Sequence, residues 1–158
     1  MSNYYSAIKE NHLISTDPSK LNIDIIHHYL SEESYWAKGI PRSVVEKSIA
    51  NSLCFGLYYN DEKILSSYMQ IGFARLITDR ATFAWLADVF ILPEHRRKGL
   101  SKWLMQTILA HPELQNLRRW LLATKDAHGL YEQFGWTSFD EEVTKRFMLK
   151  HNPNVYKK

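Results

Sequence analysis

The chain has 158 residues, a length that fits one domain able to bury a hydrophobic core. Apolar residues make up 45% of the sequence and charged residues 23%, proportions that are ordinary for a globular protein in water. The formal net charge is +3, an excess too small to argue for nucleic acid as a partner.

The sequence gives no sign of a membrane or secreted protein. No segment is long and apolar enough to span a bilayer, and the residues after Met1 lack the apolar core of a signal peptide. The single cysteine, Cys54, excludes an intrachain disulfide and fits a reducing compartment. We therefore expect a cytoplasmic protein without a membrane partner, and a single domain over residues 1–158. Cys54 lies between two apolar residues of a predicted strand, so we expect it to be buried without a role.

The first half of the chain predicts helices followed by an antiparallel meander. Ile23, Ile26 and Leu30 recur with helical spacing, and Pro41 suits the first turn of a helix. Consecutive apolar runs with short polar turns between them indicate antiparallel strands, the last one bent or bulged near Gly72. The predicted elements are a strand at 12–16, a helix at 21–30, a loop at 31–39, a helix from 41 to about 50, and strands at 53–59 and 64–78, joined by a turn at 60–63 and closed by one at 79–80.

The most informative stretch combines a buried strand, a basic turn and a helix. An apolar run over residues 83–92 is broken by Pro93, and three basic residues precede Gly99. Apolar residues then recur with the period of an amphipathic helix, at Leu100, Trp103, Leu104, Thr107 and Ile108. The first N–H groups of such a helix lack intrahelical partners and lie at the positive end of its dipole. A phosphate or pyrophosphate is the expected ligand of this turn.

The last part of the chain predicts a further strand, a short helix and two final strands. Asp126 suits the N-cap of the helix and Gly135 the position after its end. The predicted bounds are a strand at 117–124, a helix at 127–134, and strands at 137–139 and 144–149. The whole chain therefore predicts one mixed α/β domain.

Three segments in this order resemble the GNAT family of acetyltransferases. Arg96, Gly99 and Ser101 are spaced as in the family's acetyl-CoA pyrophosphate loop, although the family has Gly or Ala where this chain has Ser101. Residues 86–91 are similar to the family's fourth strand. Residues 130–136 resemble its Leu-Tyr-x-x-x-Gly-Phe segment, with Trp136 in place of Phe. Three motifs in the right order are far more specific than any one of them.

The resemblance covers residues 12–149 and implies the GNAT fold. That fold is a mostly antiparallel, twisted sheet of about six to seven strands, flanked by about four helices. The segments 34–39 and 127–129 are most similar to a group of small, single-domain bacterial members whose substrates the sequence does not assign.

The resemblance also implies acetyl-CoA as the co-substrate. It places the pantetheine arm against the backbone of the fourth strand and the pyrophosphate on the basic turn. The implied donor-binding residues are Val89, Phe90, Ile91, Arg96, Arg97, Lys98, Gly99, Leu100 and Ser101.

Two residues are expected to move protons during acetyl transfer to an amine. Tyr131 matches the family's general acid, and a phenol remains protonated at neutral pH. Asp88 is the candidate base, acting directly or through water. Each has an alternative, because Tyr131 also suits a core aromatic, and Asp88 also suits a structural carboxylate that pairs with Arg75 or accepts hydrogen bonds from a neighbouring loop.

The acceptor is expected to be the primary amine of a small molecule or a peptide. Tyr35, Trp36 and Arg75 are candidate walls of its pocket, with ordinary packing as the alternative. We expect no metal, because the seven histidines show no ligand spacing and the adjacent His27 and His28 occupy different helix faces.

Two other functions fit parts of the sequence. One is an acyl-CoA-binding module without catalysis. The other is a nucleic-acid binder, which the apolar face of residues 100–108 disfavours because the core needs that face. Predicted edge strands near the C-terminus permit a homodimer.

Overall fold

A six-stranded sheet forms the centre of the computed structural model, which describes residues 3–61 and 67–157. The strands follow chain order across the sheet, and all neighbours are antiparallel except β5 and β6, which are parallel. They are β1 (Ser6–Lys9), β2 (His12–Ser15), β3 (Leu53–Asn60), β4 (Tyr68–Thr78), β5 (Phe83–Ile91) and β6 (Arg119–Leu122). The predicted meander and mixed α/β class are confirmed.

Helices connect and flank these strands. They are α1 (Ile23–His28), α2 (Arg42–Ala50), α3 (Leu100–Leu109), α4 (His128–Glu132) and α5 (Glu141–Thr144). A single wider turn of π-helix, Tyr29–Glu33, continues α1 into the loop that the sequence predicted. None of the helices in the described part of the chain is long and apolar enough to cross a membrane.

The two faces of the sheet bury two separate apolar clusters. Successive residues of β4 alternate between them, because side chains of a strand point to opposite faces. Ala74 and Leu76 belong to the first cluster, which lies under α3, and Phe73 belongs to the second, which lies under α1 and α2. The sheet is therefore covered on both faces, and its edges and ends remain for ligands.

The two final strands predicted from the sequence are wrong. The side chain of Asp140 accepts a hydrogen bond from the Val143 N–H at 2.8 Å and begins α5 between the two predicted strands. Glu141 and Glu142 fall in the first turn of that helix, where the helix dipole favours negative charge. A capped helix start thus lies where the final strands were predicted, and Met148 and Leu149 are almost fully exposed.

Smaller differences concern the ends of elements. Strand β1 was not predicted from the sequence. Asp126 does not cap α4, because the helix begins at His128 and places Ala127 at the N-cap position. Gly135 has a left-handed φ of 98°, but α4 ends at Glu132 with Gln133 as its C-cap, so Gly135 is not the residue that directly follows the cap, as the sequence predicted. The bend expected near Gly72 is present as two register shifts between β4 and its neighbours. Parts of the predicted turn at 60–63 and strand at 64–78 lie outside the described residues.

Neighbouring residues of β4 offer a direct test of this arrangement. Leu76 is fully buried, whereas the side chain of Ile77 is 42% exposed on the opposite face. Replacing Leu76 with Ala should lower the free energy of unfolding by about 2–5 kcal/mol, since it removes buried methyl groups and leaves a cavity. Urea denaturation of both variants checks this, with Ile77→Ala expected to lose less than half as much. Equal losses would contradict the assigned register.

Candidate active site

Strands β5 and β6 separate before β5 ends. They pair only between residues 83–86 and 119–122. Among the described strands, the last five residues of β5, 87–91, therefore lie beside β4 alone, which pairs with Ala87, Phe90 and Ile91. On the other side of residues 87–91, the described part of the chain supplies no strand. A gap therefore opens between the end of β5 and the segment that follows β6.

Backbone groups of β5 point into this gap. The Leu92 N–H donates to the Ile71 carbonyl on the β4 side at 2.8 Å. Peptide groups alternate in direction along a strand, so those of Val89 and Ile91 point to the open side. The gap is therefore lined by polar backbone groups that are available to an extended ligand, except the Ile91 carbonyl, which accepts a hydrogen bond from Arg96 Nε.

The basic loop, defined as residues 96–101, follows at the end of β5. Arg97 and Gly99 adopt left-handed conformations with φ of 63° and 73°, and α3 begins at Leu100 without a side-chain cap. A Cβ atom placed on Gly99 would meet no other heavy atom within 4 Å. The space beside Gly99 is thus open at the point where α3 begins, and the exposed Arg97 and Lys98 add positive charge there. Such an arrangement suits an anion.

Arg96, the first residue of the basic loop, connects the loop to β5 and to Tyr29 through hydrogen bonds. Its guanidinium donates to the Ile91 carbonyl and to the Tyr29 hydroxyl, both at 2.9 Å. The Tyr29 ring in turn stacks on Phe90, with centroids 4.0 Å apart. Sequence reasoning missed Tyr29, although its position three residues after the buried Ile26 marks it as inward-facing on the predicted helix.

Tyr131 supplies a buried phenol from α4. Its side chain is 8% exposed, and its ring lies edge-on to Trp136 with centroids 5.9 Å apart. Burial raises the pKa of Tyr131 to about 12, and the neighbouring Tyr35 and Asp126 contribute in the same direction. No residue within 3–61 and 67–157 forms a hydrogen bond with the hydroxyl. The site therefore holds a protonated phenol whose O–H has no acceptor among the described residues.

Asp88 lies in the bulge of β5, with a left-handed φ of 54°. One carboxylate oxygen, Oδ2, accepts from Arg75 Nε at 2.8 Å, and the other, Oδ1, accepts from Trp36 Nε1 at 2.9 Å. The Arg75 and Asp88 side chains are only 16% and 10% exposed. This is the structural arrangement that the sequence left open as an alternative, while the role of Asp88 as a base stays a prediction.

Tyr35 and Trp36 stand side by side at the opening of the gap. Both belong to the aromatic loop, defined as residues 34–39, and both are half-exposed, at 52% and 41%. Their rings are nearly perpendicular, with centroids 5.0 Å apart. The Tyr35 hydroxyl accepts the Lys125 N–H at 2.8 Å, and Lys125 Nζ lies 5.7 Å from the Tyr35 ring centroid. Lys125 follows β6, so the aromatic loop reaches both sides of the gap.

Other features lie outside this arrangement. A cavity of about 750 Å³ opens beyond β6, and its wall includes Tyr131 but neither Asp88 nor the basic loop. Cys54 is buried, which raises the pKa of its thiol to about 12. Among the described residues, no cluster of three or more His, Cys, Asp or Glu side chains is suited to a metal ion. The expectation that no metal takes part stays a prediction.

Comparisons with known proteins agree with this geometry. The model of the acetyltransferase (GNAT) family matches residues 22–136. A protein of Gibberella zeae named as an acetyltransferase is 35% identical over 136 residues, which cover 77% of this chain and 76% of the relative. A crystal structure from Xanthomonas campestris pv. campestris, described as a GNAT-family acetyltransferase, is 46% identical, with a TM-score of 0.83 over 93% of this chain and 97% of that one.

More distant structures share the fold alone. A GNAT-family acetyltransferase from Elizabethkingia anophelis, crystallised with acetyl-CoA bound, is 14% identical, with a TM-score of 0.59 over 84% of this chain and 80% of that one. Family match, sequence identity and fold agree, and the chain belongs to the GNAT family of acetyltransferases.

The raised pKa of Tyr131 predicts how stability depends on alkaline pH. Unfolded tyrosine releases its proton near pH 10, whereas folded Tyr131 holds it to about pH 12. In that interval the folded state binds more protons, so stability present below pH 10 is lost as the pH rises. Urea unfolding between pH 9 and 11.5 should show wild type losing about 2 kcal/mol more than Tyr131→Phe. Parallel losses in both proteins would show that Tyr131 is not protected.

Proposed function

We propose that the protein is an acetyl-CoA-dependent N-acetyltransferase that acts on the primary amine of a small molecule or a peptide. One observation carries this proposal. The open edge of β5 leads directly into a basic, left-handed turn at the start of α3, and α4 carries a buried phenol whose hydroxyl has no hydrogen-bond partner among the described residues.

Acetyl-CoA fits this arrangement as an extended ligand with a charged end. The pyrophosphate would lie on the N–H groups of the basic loop, where Gly99 leaves space and Arg97 and Lys98 supply charge. The pantetheine arm would extend along residues 89–91 and use their outward peptide groups. The acetyl-CoA bound by the fold neighbour from Elizabethkingia anophelis supports this assignment.

Acetyl transfer then requires attack, charge stabilisation and release. The amine nitrogen attacks the thioester carbonyl carbon, and the carbonyl oxygen becomes an oxyanion. An outward N–H of Val89 or Ile91 would stabilise that charge. Collapse of the intermediate breaks the carbon–sulfur bond, and Tyr131 donates its proton to the departing sulfur. The products are the N-acetylated amine and CoA, and water reprotonates Tyr131.

The attacking amine must also lose a proton. From the sequence, Asp88 was expected to accept this proton, directly or through water. Each oxygen of Asp88 already accepts one hydrogen bond, from Arg75 or from Trp36. Because both oxygens already have partners, we propose that a water molecule accepts the proton and passes it to solvent, without Asp88 as the base.

The donor site is tested by thermal unfolding with acetyl-CoA, CoA and ATP. Both CoA compounds should raise the melting temperature of wild type, and ATP should not, because a ligand that binds only the folded state stabilises it. Gly99→Trp should abolish the shift, since the indole would occupy the open space before α3. Gly99→Asn is the matched control, because Asn tolerates the left-handed conformation and is small. No shift with any CoA compound would overturn the proposal.

Catalysis is tested by thiol release with a panel of primary amines. Tyr131→Phe should lower kcat by about 10²-fold to 10⁴-fold, the usual contribution of a general acid, while the CoA-induced thermal shift persists. Binding of acetyl-CoA without turnover of any amine would instead identify a silent acyl-CoA-binding module.

A further inference from the structure

We infer that Asp88 is a positioning residue, which holds the Trp36 indole at the entrance through which the amine reaches the thioester. This inference rests on the proposed function and assigns the entrance to the aromatic loop. It differs from the role of a base, because the carboxylate would act through Trp36 and not on the reacting nitrogen.

The first support is the way in which the carboxylate of Asp88 is shared. Its two oxygens accept from two different elements, Arg75 of β4 and Trp36 of the aromatic loop. Arg75 also donates to Ser52 Oγ at 3.2 Å, immediately before β3. One nearly buried ion pair thus ties two strands and the aromatic loop together, and a charge-assisted hydrogen bond of this kind fixes direction as well as distance.

The second support is the bulge itself. The left-handed φ of 54° at Asp88 is unfavourable for a residue with a side chain, and it persists only when the surroundings hold it. The bulge directs the carboxylate to the face on which Arg75 and Trp36 lie. Without the bulge, a residue at this position would follow the ordinary alternation of the strand.

The third support is the span of the aromatic loop. Trp36 is fixed to β5 through Asp88, and Tyr35 is fixed through its hydroxyl to the Lys125 N–H beyond β6. The base of the loop is held by Ser34, whose hydroxyl donates to the Leu30 carbonyl and accepts from the Ala37 N–H. Two adjacent aromatic rings therefore bridge the gap where β5 and β6 separate, and an amine entering from this face must pass them.

Steady-state kinetics of Trp36→Phe and Asp88→Asn test the inference. Trp36→Phe keeps an aromatic ring but removes the indole N–H together with the five-membered ring that carries it, whereas Asp88→Asn keeps the shape of the side chain and removes its charge. Both should raise the acceptor KM by about threefold to tenfold, the equivalent of one lost hydrogen bond, with kcat nearly unchanged. The thermal shift with acetyl-CoA should stay as in wild type, and so should the inflection in the pH profile of kcat/KM.

Two results would overturn the inference. The first is a loss of kcat of about 10²-fold or more in Asp88→Asn, together with a changed pH profile, while Trp36→Phe has the kinetic constants of wild type. That result would make Asp88 the base. The second is an unchanged acceptor KM in both variants.

A spectroscopic measurement separates this inference from the proposed function. The indole N–H resonance of Trp36 is identified by its absence from the spectrum of Trp36→Phe. In Asp88→Asn that resonance should move and exchange faster with solvent, even if no amine is ever acetylated. An unmoved resonance would show that Asp88 does not hold the indole.

Discussion

The early end of the pairing between β5 and β6 is the constraint on which the site depends. A parallel pair normally satisfies the backbone groups of both strands, but here pairing stops at Leu86 and Leu122 while β5 continues to Ile91. Apart from the Ile91 carbonyl, which accepts from Arg96, the peptide groups left over must find water or a ligand. The gap is possible because β4 supports the other side of β5 up to Gly72, which pairs with Ile91, with one bulge at Asp88.

Residues around the gap divide into two sets with different supports. On the side of α3, backbone geometry dominates: left-handed turns, the start of a helix and outward peptide groups, with Arg96 bracing the loop through Ile91 and Tyr29. On the other side, side chains dominate: the ion pair of Arg75 with Asp88, and the two rings of the aromatic loop. The first set is suited to a ligand recognised by charge and extended shape. The second set is suited to a molecule that is recognised through the surface it presents to these side chains.

The sequence predicted the first set well and the second only in part. A buried strand, a basic turn with Gly99 and an amphipathic helix are local patterns, so the local sequence carries them. The hydrogen bond between Trp36 and Asp88 joins residues 52 positions apart, and no periodicity reveals it. Pairing of Asp88 with Arg75 was open as an alternative because β4 and β5 are adjacent. The prediction of the two final strands was wrong for a local reason, because the Asp140 side chain caps a helix and so competes with extended structure.

The division between the two sets has an evolutionary consequence. Changes in the aromatic loop alter side chains at the opening but leave the turn before α3 and the edge of β5 intact. Gly99 and the peptide groups of β5 constrain the chain through backbone conformation, whereas Tyr35 and Trp36 are half-exposed and are held through single polar atoms. Under the proposed function, descendants of such a chain can therefore diverge in the amine they accept while they inherit the same way of holding acetyl-CoA.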